Sequence, residues 1–433
     1  MASERRPLTL AMVLKSASRA HPLAIAAEGR LQAARGSRST AGTIANPVLT
    51  YQVENTPFPG RAGSAGLERE TFASATLPLE PFWQRGARVA RANSDVQAAE
   101  AELIQTRRMV TLDAARAFHR TALAQASVSA TGAVVSGLDS LVRFTSIRVR
   151  EGAAAEGDLL RLQVERDQIA TEEALQAAEF AQARAALLSF LIDDSVDAAT
   201  GALDDIRVTD DATVTADAGP LASLASLASL AGLSGRRARD TLAMRALGVR
   251  PDVLAARARA RAAASEVSVQ RALTVRQLGA TFGSKSVAGT TSMIAGLSIP
   301  LPLFDRNRGE VQRALGERTA AEQELRWSER RAGAEVRGAY DAASILTARV
   351  TALQRDFLAR AESSRRVALA AYREGAVPLL QVLDATRTLA DARLIYLRAR
   401  YAQQDALLAL YVAAGFDPAD ALPINASTRG TDR

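Results

Sequence analysis

Two stretches of this chain, "REGAAAEGDLLRLQ" at 150–163 and "REGAVPLLQVLDA" at 373–385, carry the same Arg-Glu-Gly ahead of a leucine-rich helical start. Gly152 and Gly375 lie 223 positions apart. So do Gly86 and Gly309, which close "LPLEPFWQRG" and "IPLPLFDRNRG". Pro78 and Pro300 are 222 apart, and Pro22 and Pro251 are 229 apart, a difference a loop absorbs. Several matches at a nearly constant interval indicate a structural duplication. Whatever plan the chain follows, it follows it twice.

The pattern within each copy fixes the elements. Residues 8–43 read as helix with a break at His21-Pro22, since proline disfavours α geometry in the residue before it and suits a first turn. In "NPVLTYQVEN" (46–55) Leu49, Tyr51 and Val53 alternate with polar residues, which predicts a half-apolar strand. A Pro/Gly/Ser-rich connection leads to a second strand at 71–79, so 46–80 reads as a hairpin. From 86 to 148 Val89, Val96, Leu103 and Val110 recur every seventh residue, the mark of a helix packed along neighbouring helices. At 1.5 Å per residue that helix is roughly 90 Å long, far beyond what a globular domain needs. A helix at 156–192 follows.

The second copy begins at Pro251. A helix, strands within a hairpin at 278–302, a long helix at 308–371 and a last helix at 377–414 repeat the order. The predicted organisation is a first structural repeat at 1–192, an insertion at 193–249, a second repeat at 250–414 and a tail at 415–433. The insertion holds "LASLASLASLAGL" (221–233), read as a short amphipathic helix. The fold class is mainly α with a small β part. Apolar residues make up 48% and aromatics only 4%, which suits closely packed helices rather than a thick core.

Composition also excludes functions. With no cysteine there are no disulfides, thiol chemistry, cysteine metal sites or lipidated cysteine in the chain as given. The two histidines, His21 and His119, are read as a helix cap and a helix-surface residue, and no metal site or cofactor is expected. Glu172-Glu173 and Asp193-Asp194 are adjacent surface acids, a poor arrangement for acid/base work, and no phosphate-binding fingerprint occurs. No catalytic constellation appears, and the chain does not read as an enzyme. The formal charge is +7, but the arginines interleave with acids. Even Arg257, Arg259 and Arg261 are spread around their helix, so no nucleic-acid partner is expected. The start, "MASERRPLTLAMVLK", shows no signal peptide, and no window is apolar enough for a transmembrane helix.

Four strands cannot close a barrel, and an open sheet edge is not tolerated in lipid. Several copies pooling strands could close one, and Phe58, Phe72, Phe82, Trp83 and Phe304 near strand ends suit an aromatic girdle. A soluble coiled-coil scaffold with hairpin insertions fits the alternation too. The element order, "NPVLTYQVEN", the two strand-to-helix junctions and above all "YREGAVPLLQVLDATRTLADARL" resemble the TolC family of outer-membrane efflux proteins over most of 8–414. "NPVLTYQVEN" is particularly similar to the outer-membrane components of CzcC-type heavy-metal resistance pumps.

The resemblance implies a homotrimer with a 12-stranded β-barrel in outer-membrane lipid on a periplasmic α-helical barrel about 100 Å long. The 193–249 region would form an equatorial belt and the Gly turns the periplasmic tip. Function would be passive export in a tripartite pump, with a periplasmic adaptor and an inner-membrane RND transporter as partners. The cargo would be heavy-metal cations or, alternatively, drugs and other toxic compounds. It also implies site residues. Asp384 retains a gate acid, while Gln381 replaces the other. Tyr372 with Arg400 matches one tip latch. Asp158 matches another whose basic partner is replaced by Val377. Arg150, Gly152, Arg373, Gly375, Val377 and Leu379 are the turn and adaptor-contact candidates.

Overall fold

The computed structural model describes residues 8–56, 68–191, 235–274 and 278–418. Phe58, the Phe82 side chain, the leucine repeat at 221–233, the pair Asp193-Asp194 and the tail beyond 418 lie outside them. The elements, in order, are α1 (Leu10–Ala20), α2 (Pro22–Ala41), β1 (Val48–Glu54), β2 (Glu70–Leu79), α3 (Phe82–Arg150) and α4 (Glu156–Leu188). Then come α5 (Arg236–Val249), α6 (Pro251–Ala272), β3 (Leu278–Val287), β4 (Thr290–Ser298) and α7 (Arg308–Ala352). A π-helical turn at Leu353–Phe357, α8 (Leu358–Arg373) and α9 (Leu379–Ala413) complete the chain. Compactness divides it into two units that cut across the sequence boundaries: Met1–Ala26, Ile104–Arg250 and Arg330–Arg433 in one, Ala27–Leu103 and Pro251–Glu329 in the other.

The second of these units carries the sheet, antiparallel throughout in the order β1-β2-β3-β4. Its two hairpins meet at the β2–β3 pairing, where Thr76 and Thr281 share a hydroxyl hydrogen bond of 3.0 Å. Gly283 is required there, because a Cβ would collide with the backbone of Ala73 and Ser74. Ala288 and Gly289 both take positive φ, the two-residue turn whose twist suits a hairpin. Register sorts the residues by face, since directly paired residues share one. One face carries the rows Leu49–Ala75–Phe282–Ala295 and Tyr51–Ala73–Ser284–Met293, and Leu77–Ala280–Leu297. The other carries Thr50–Ser74–Gly283–Ile294 and Gln52–Phe72–Lys285–Ser292. The sheet is apolar on one side and largely polar on the other, and Leu49 and Met293 on the apolar side are 81% and 87% exposed. Phe72 departs from the girdle expectation: it lies on the polar face, with the Lys285 ammonium 4.8 Å from its ring centroid. Among the described residues no further strand pairs with β1 or β4.

Ion pairs stitch the helices of this unit. Buried Glu266 accepts from Arg91 at 2.5 Å and Arg313 at 3.5 Å. Arg257 holds Glu329, Arg259 holds Glu102, and Arg261 turns back onto the Arg257 carbonyl. The run of alternating arginines is therefore divided among separate partners.

In the other unit Val13, Leu14 and Ala17 of α1 pack on Val110, Ala114 and Phe118 of α3, with Leu187 of α4 and Tyr401 of α9. His21 ends α1, and its Nδ1 accepts from the Leu23 amide at 3.2 Å, so it caps as expected. His119 does not lie on the surface. It is 8% exposed, and its Nδ1 is 2.9 Å from the Asp405 carboxylate on α9, because its face of α3 is covered by a neighbouring helix. Two buried arginines hold the end of α9. Arg108 donates to the Val412 and Phe416 carbonyls at 3.0 and 2.6 Å, and Arg250 donates to the Ala413 carbonyl and to Glu335 at 2.7 Å. They fasten the last turn of α9 and the residues just beyond it through backbone carbonyls.

Burial pushes the Glu335 carboxyl up, but hydrogen bonds from Arg331 and Arg250 outweigh it and hold the group below its ordinary value. A carboxyl depressed in the fold adds stability above its unfolded pKa and loses it as pH falls through the folded one. Because Glu335 is half-exposed, we expect only about 1 kcal/mol from it. E335Q should melt below the parent at pH 7, with the gap closing in acid below about pH 4. Thermal circular dichroism across that range checks this, and a gap constant with pH would contradict it.

Candidate gate at the helix turns

Two helix-to-helix turns of the larger unit have the same construction. α3 ends at Arg150 and the chain reverses through Gly152 with φ 73°; α8 ends at Arg373 and reverses through Gly375 with φ 77°. The Ala153 amide donates to the Arg148 carbonyl at 2.7 Å and the Gly152 amide to that of Val149 at 3.0 Å. In the second turn Ala376 donates to Ala371 at 2.8 Å and Gly375 to Tyr372 at 3.0 Å. This nested pair of bonds closes a helix on a left-handed residue, which glycine adopts without a Cβ penalty.

One apolar cluster joins the four helices beside the turns. It holds Val134, Val135 and Leu138 of α3, Leu162 and Ile169 of α4, Tyr372 of α8, and Leu379, Val382 and Leu383 of α9. Leu379, a candidate adaptor contact, is only 4% exposed, and Val377 packs against the same cluster, so these two brace the turn from inside. The next residue, Leu380, is the one left exposed. Arg150 and Arg373 are exposed as expected, and Arg373 lines a groove with Arg365, Arg366 and Arg393.

Gln381 and Asp384 lie three residues apart on α9, so they share a face, and both are exposed. Among the described residues the Asp384 carboxylate has no hydrogen-bond or ion-pair partner; only its backbone carbonyl is engaged, by Thr388. The same face continues one heptad on to exposed Asp391, which the seven-residue spacing alone could have revealed.

The expected latch residues do not meet. Tyr372 is buried beside the turn, with the Arg148 guanidinium 5.9 Å from its ring centroid. Arg400 lies about 30 Å further along α9 at 1.5 Å per residue. Half-exposed Asp158 sits in the first turn of α4, where a carboxylate suits the helix dipole. A different polar link spans the hairpins. Arg387 of α9 donates to both oxygens of buried Glu165 on α4, at 2.7 and 2.5 Å, and to Gln168 at 3.1 Å. Its partners are over 200 positions away, so no local signal announces it. Among the described residues no group of three or more His, Asp or Glu is placed to hold a metal ion, and no helix is long and apolar enough to cross a membrane.

Residues 242–416 match the family model described as "Outer membrane efflux protein". The cobalt-zinc-cadmium resistance protein CzcC of Cupriavidus metallidurans is 27% identical over 394 residues, covering 90% of this chain and 86% of that one. The cation efflux system protein CusC of Escherichia coli is 28% identical over 177 residues, 38% of each. The CusC crystal structure superposes with a TM-score of 0.75 at 20% identity, covering 94% of this chain and 92% of that one. VceC of Vibrio cholerae gives 0.75 at 21% identity, covering 94% and 96%. At such identities the structural likeness establishes the fold, and the family match is to residues 242–416: that stretch carries the outer membrane efflux protein domain.

Proposed function

We propose that this chain is the outer-membrane duct of a tripartite efflux system, assembled from three copies, which passes heavy-metal cations from the periplasm to the exterior. The observation that carries this reading is the two-faced sheet with both edges open. In lipid each unsatisfied edge group costs several kcal/mol, so β4 of one copy must pair with β1 of the next until the wall closes. Twelve strands from three copies would turn the apolar rows outward and the polar rows toward water. Strands of 7 to 10 residues approach the length a tilted span needs. Exposed Leu160, Val164 and Leu175 on α4 form an apolar seam that the described residues leave uncovered, consistent with a neighbouring copy packing there. The likeness to CzcC favours metal cations as cargo. An inner-membrane RND transporter would supply the energy, and a periplasmic adaptor would engage the turns at Arg150 and Arg373.

On this reading α9 lines the narrow periplasmic opening. Asp384, with Gln381 one turn before it and Asp391 two turns beyond, would form rings around the axis, concentrating negative potential and favouring cations. D384A should lower the cation preference of single channels in planar bilayers, and unchanged reversal potentials under a salt gradient would remove Asp384 from the gate. The latch role passes from Tyr372, Arg400 and Asp158 to Glu165–Arg387, the polar link that holds the second hairpin to the first. R387A should raise spontaneous conductance several-fold, since about 1 kcal/mol per copy is lost. A channel as quiet as the parent would make that pair merely structural. Charge reversal at Arg150 and Arg373 together should abolish adaptor cross-linking and metal resistance in a complemented deletion strain; full resistance would exclude them as adaptor contacts.

A further inference from the structure

The two strand-to-helix junctions, 79–86 and 299–309, do more than connect. Side-chain amides tie both to the end of α6: Gln84 Nε2 donates to the Ala272 carbonyl at 3.0 Å, and Asn307 Nδ2 donates to the Gln270 carbonyl at 2.7 Å. Three segments distant in sequence are thereby gathered at one end of the sheet, and each brings arginine: Arg85, Arg271, Arg306 and Arg308. Arg35, Arg91, Arg257, Arg259 and Arg313 of the same unit each hold a glutamate. The junction arginines do not. Arg85 is engaged only through Nε, with the Gly42 carbonyl, and Arg271, Arg306 and Arg308 are exposed without a hydrogen-bond or ion-pair partner among the described residues. Of the nearby acids, Glu80 is held by Arg88, and Asp305 accepts from the Asn307 amide. The cluster keeps a surplus of positive charge.

Beside that charge lies apolar surface. Phe304 is 100% exposed and Trp83 47%, with Leu301 and Leu303 open next to Phe304. They follow in the chain where the apolar side of the sheet ends, its last paired row on that side being Leu79–Leu278. An apolar edge carrying aromatic side chains, followed by uncompensated guanidinium groups, matches the depth profile of a bilayer boundary.

We propose that the two junctions form a binding site for an anionic glycerophospholipid of the periplasm-facing leaflet. Phe304 and Trp83 sit among the upper acyl carbons, while Arg271, Arg306 and Arg308 take the phosphate and the remaining headgroup charge. Guanidinium suits this role because its planar donors meet phosphate oxygens two at a time. The proposal rests on the outer-membrane reading of the sheet.

The chain has two tryptophans, so W327F leaves Trp83 as the only reporter. The full-length W327F protein is reconstituted into phosphatidylethanolamine vesicles containing a minor fraction of phosphatidylglycerol or phosphatidylcholine, brominated near the carbonyl end of the acyl chains. Phosphatidylglycerol should quench Trp83 at least about threefold more strongly, given the attraction of each basic residue for an anionic leaflet. Adding R271Q, R306Q and R308Q should bring the two lipids to parity while quenching persists. Equal quenching before those substitutions, or selectivity that survives them, overturns the proposal and leaves the barrel reading intact. Trp83 quenched by neither lipid would place the junctions outside the bilayer and sink both.

Discussion

The backbone groups along the outer edges of β1 and β4 impose the strictest condition on this molecule. Four strands joined through β2–β3 satisfy one another and, among the described residues, leave two edges bare. Water can solvate such edges. Hydrocarbon cannot, and the apolar rows headed by Leu49 and Tyr51 are suited to hydrocarbon. The two properties together make one copy an incomplete object. Closure by identical neighbours is a head-to-tail association whose rotation must close, and the same rotation would bring three copies of every helix around one axis.

From that closure the rest gains its meaning. The left-handed glycines at 152 and 375 let four helix ends meet beside one apolar cluster, which fixes the phase of α9 through Leu379, Val382 and Leu383. With those residues inside, Gln381, Asp384 and Asp391 are left outside on a common face. The threefold arrangement proposed above would convert each of these carboxylates into a ring. Glu165–Arg387 lies one turn from Asp384 and links the first helical hairpin to the second within one chain. Release of that link would let the second hairpin move without unfolding either turn.

Much of the architecture was legible because local chemistry determines it. Alternation at Leu49, Tyr51 and Val53 found β1, Pro22 and Pro251 opened helices where expected, and the two Arg-Glu-Gly words marked both turns. The long helix predicted at 86–148 runs Phe82–Arg150. What escaped depends on which neighbour covers a helix face. His119 reads as a helix-surface residue in the sequence, whereas in the fold Asp405 of α9 covers it. Leu379 and Leu380 are equally apolar in sequence, and only the packing of α9 decides that the first is inside. The π-helical turn at Leu353–Phe357 has no proline or glycine to announce it. Asp384 and Gln381 rest on family likeness, whereas Asp391 follows from Asp384 by heptad spacing.

The account stands or falls on how many chains make one particle. Native mass spectrometry of the full-length protein released from detergent micelles reads that number directly. Three chains of 45.8 kDa are predicted, persisting at dilution because strand pairing between copies closes the sheet. A discrete single chain that remains folded and dispersed without detergent would contradict it.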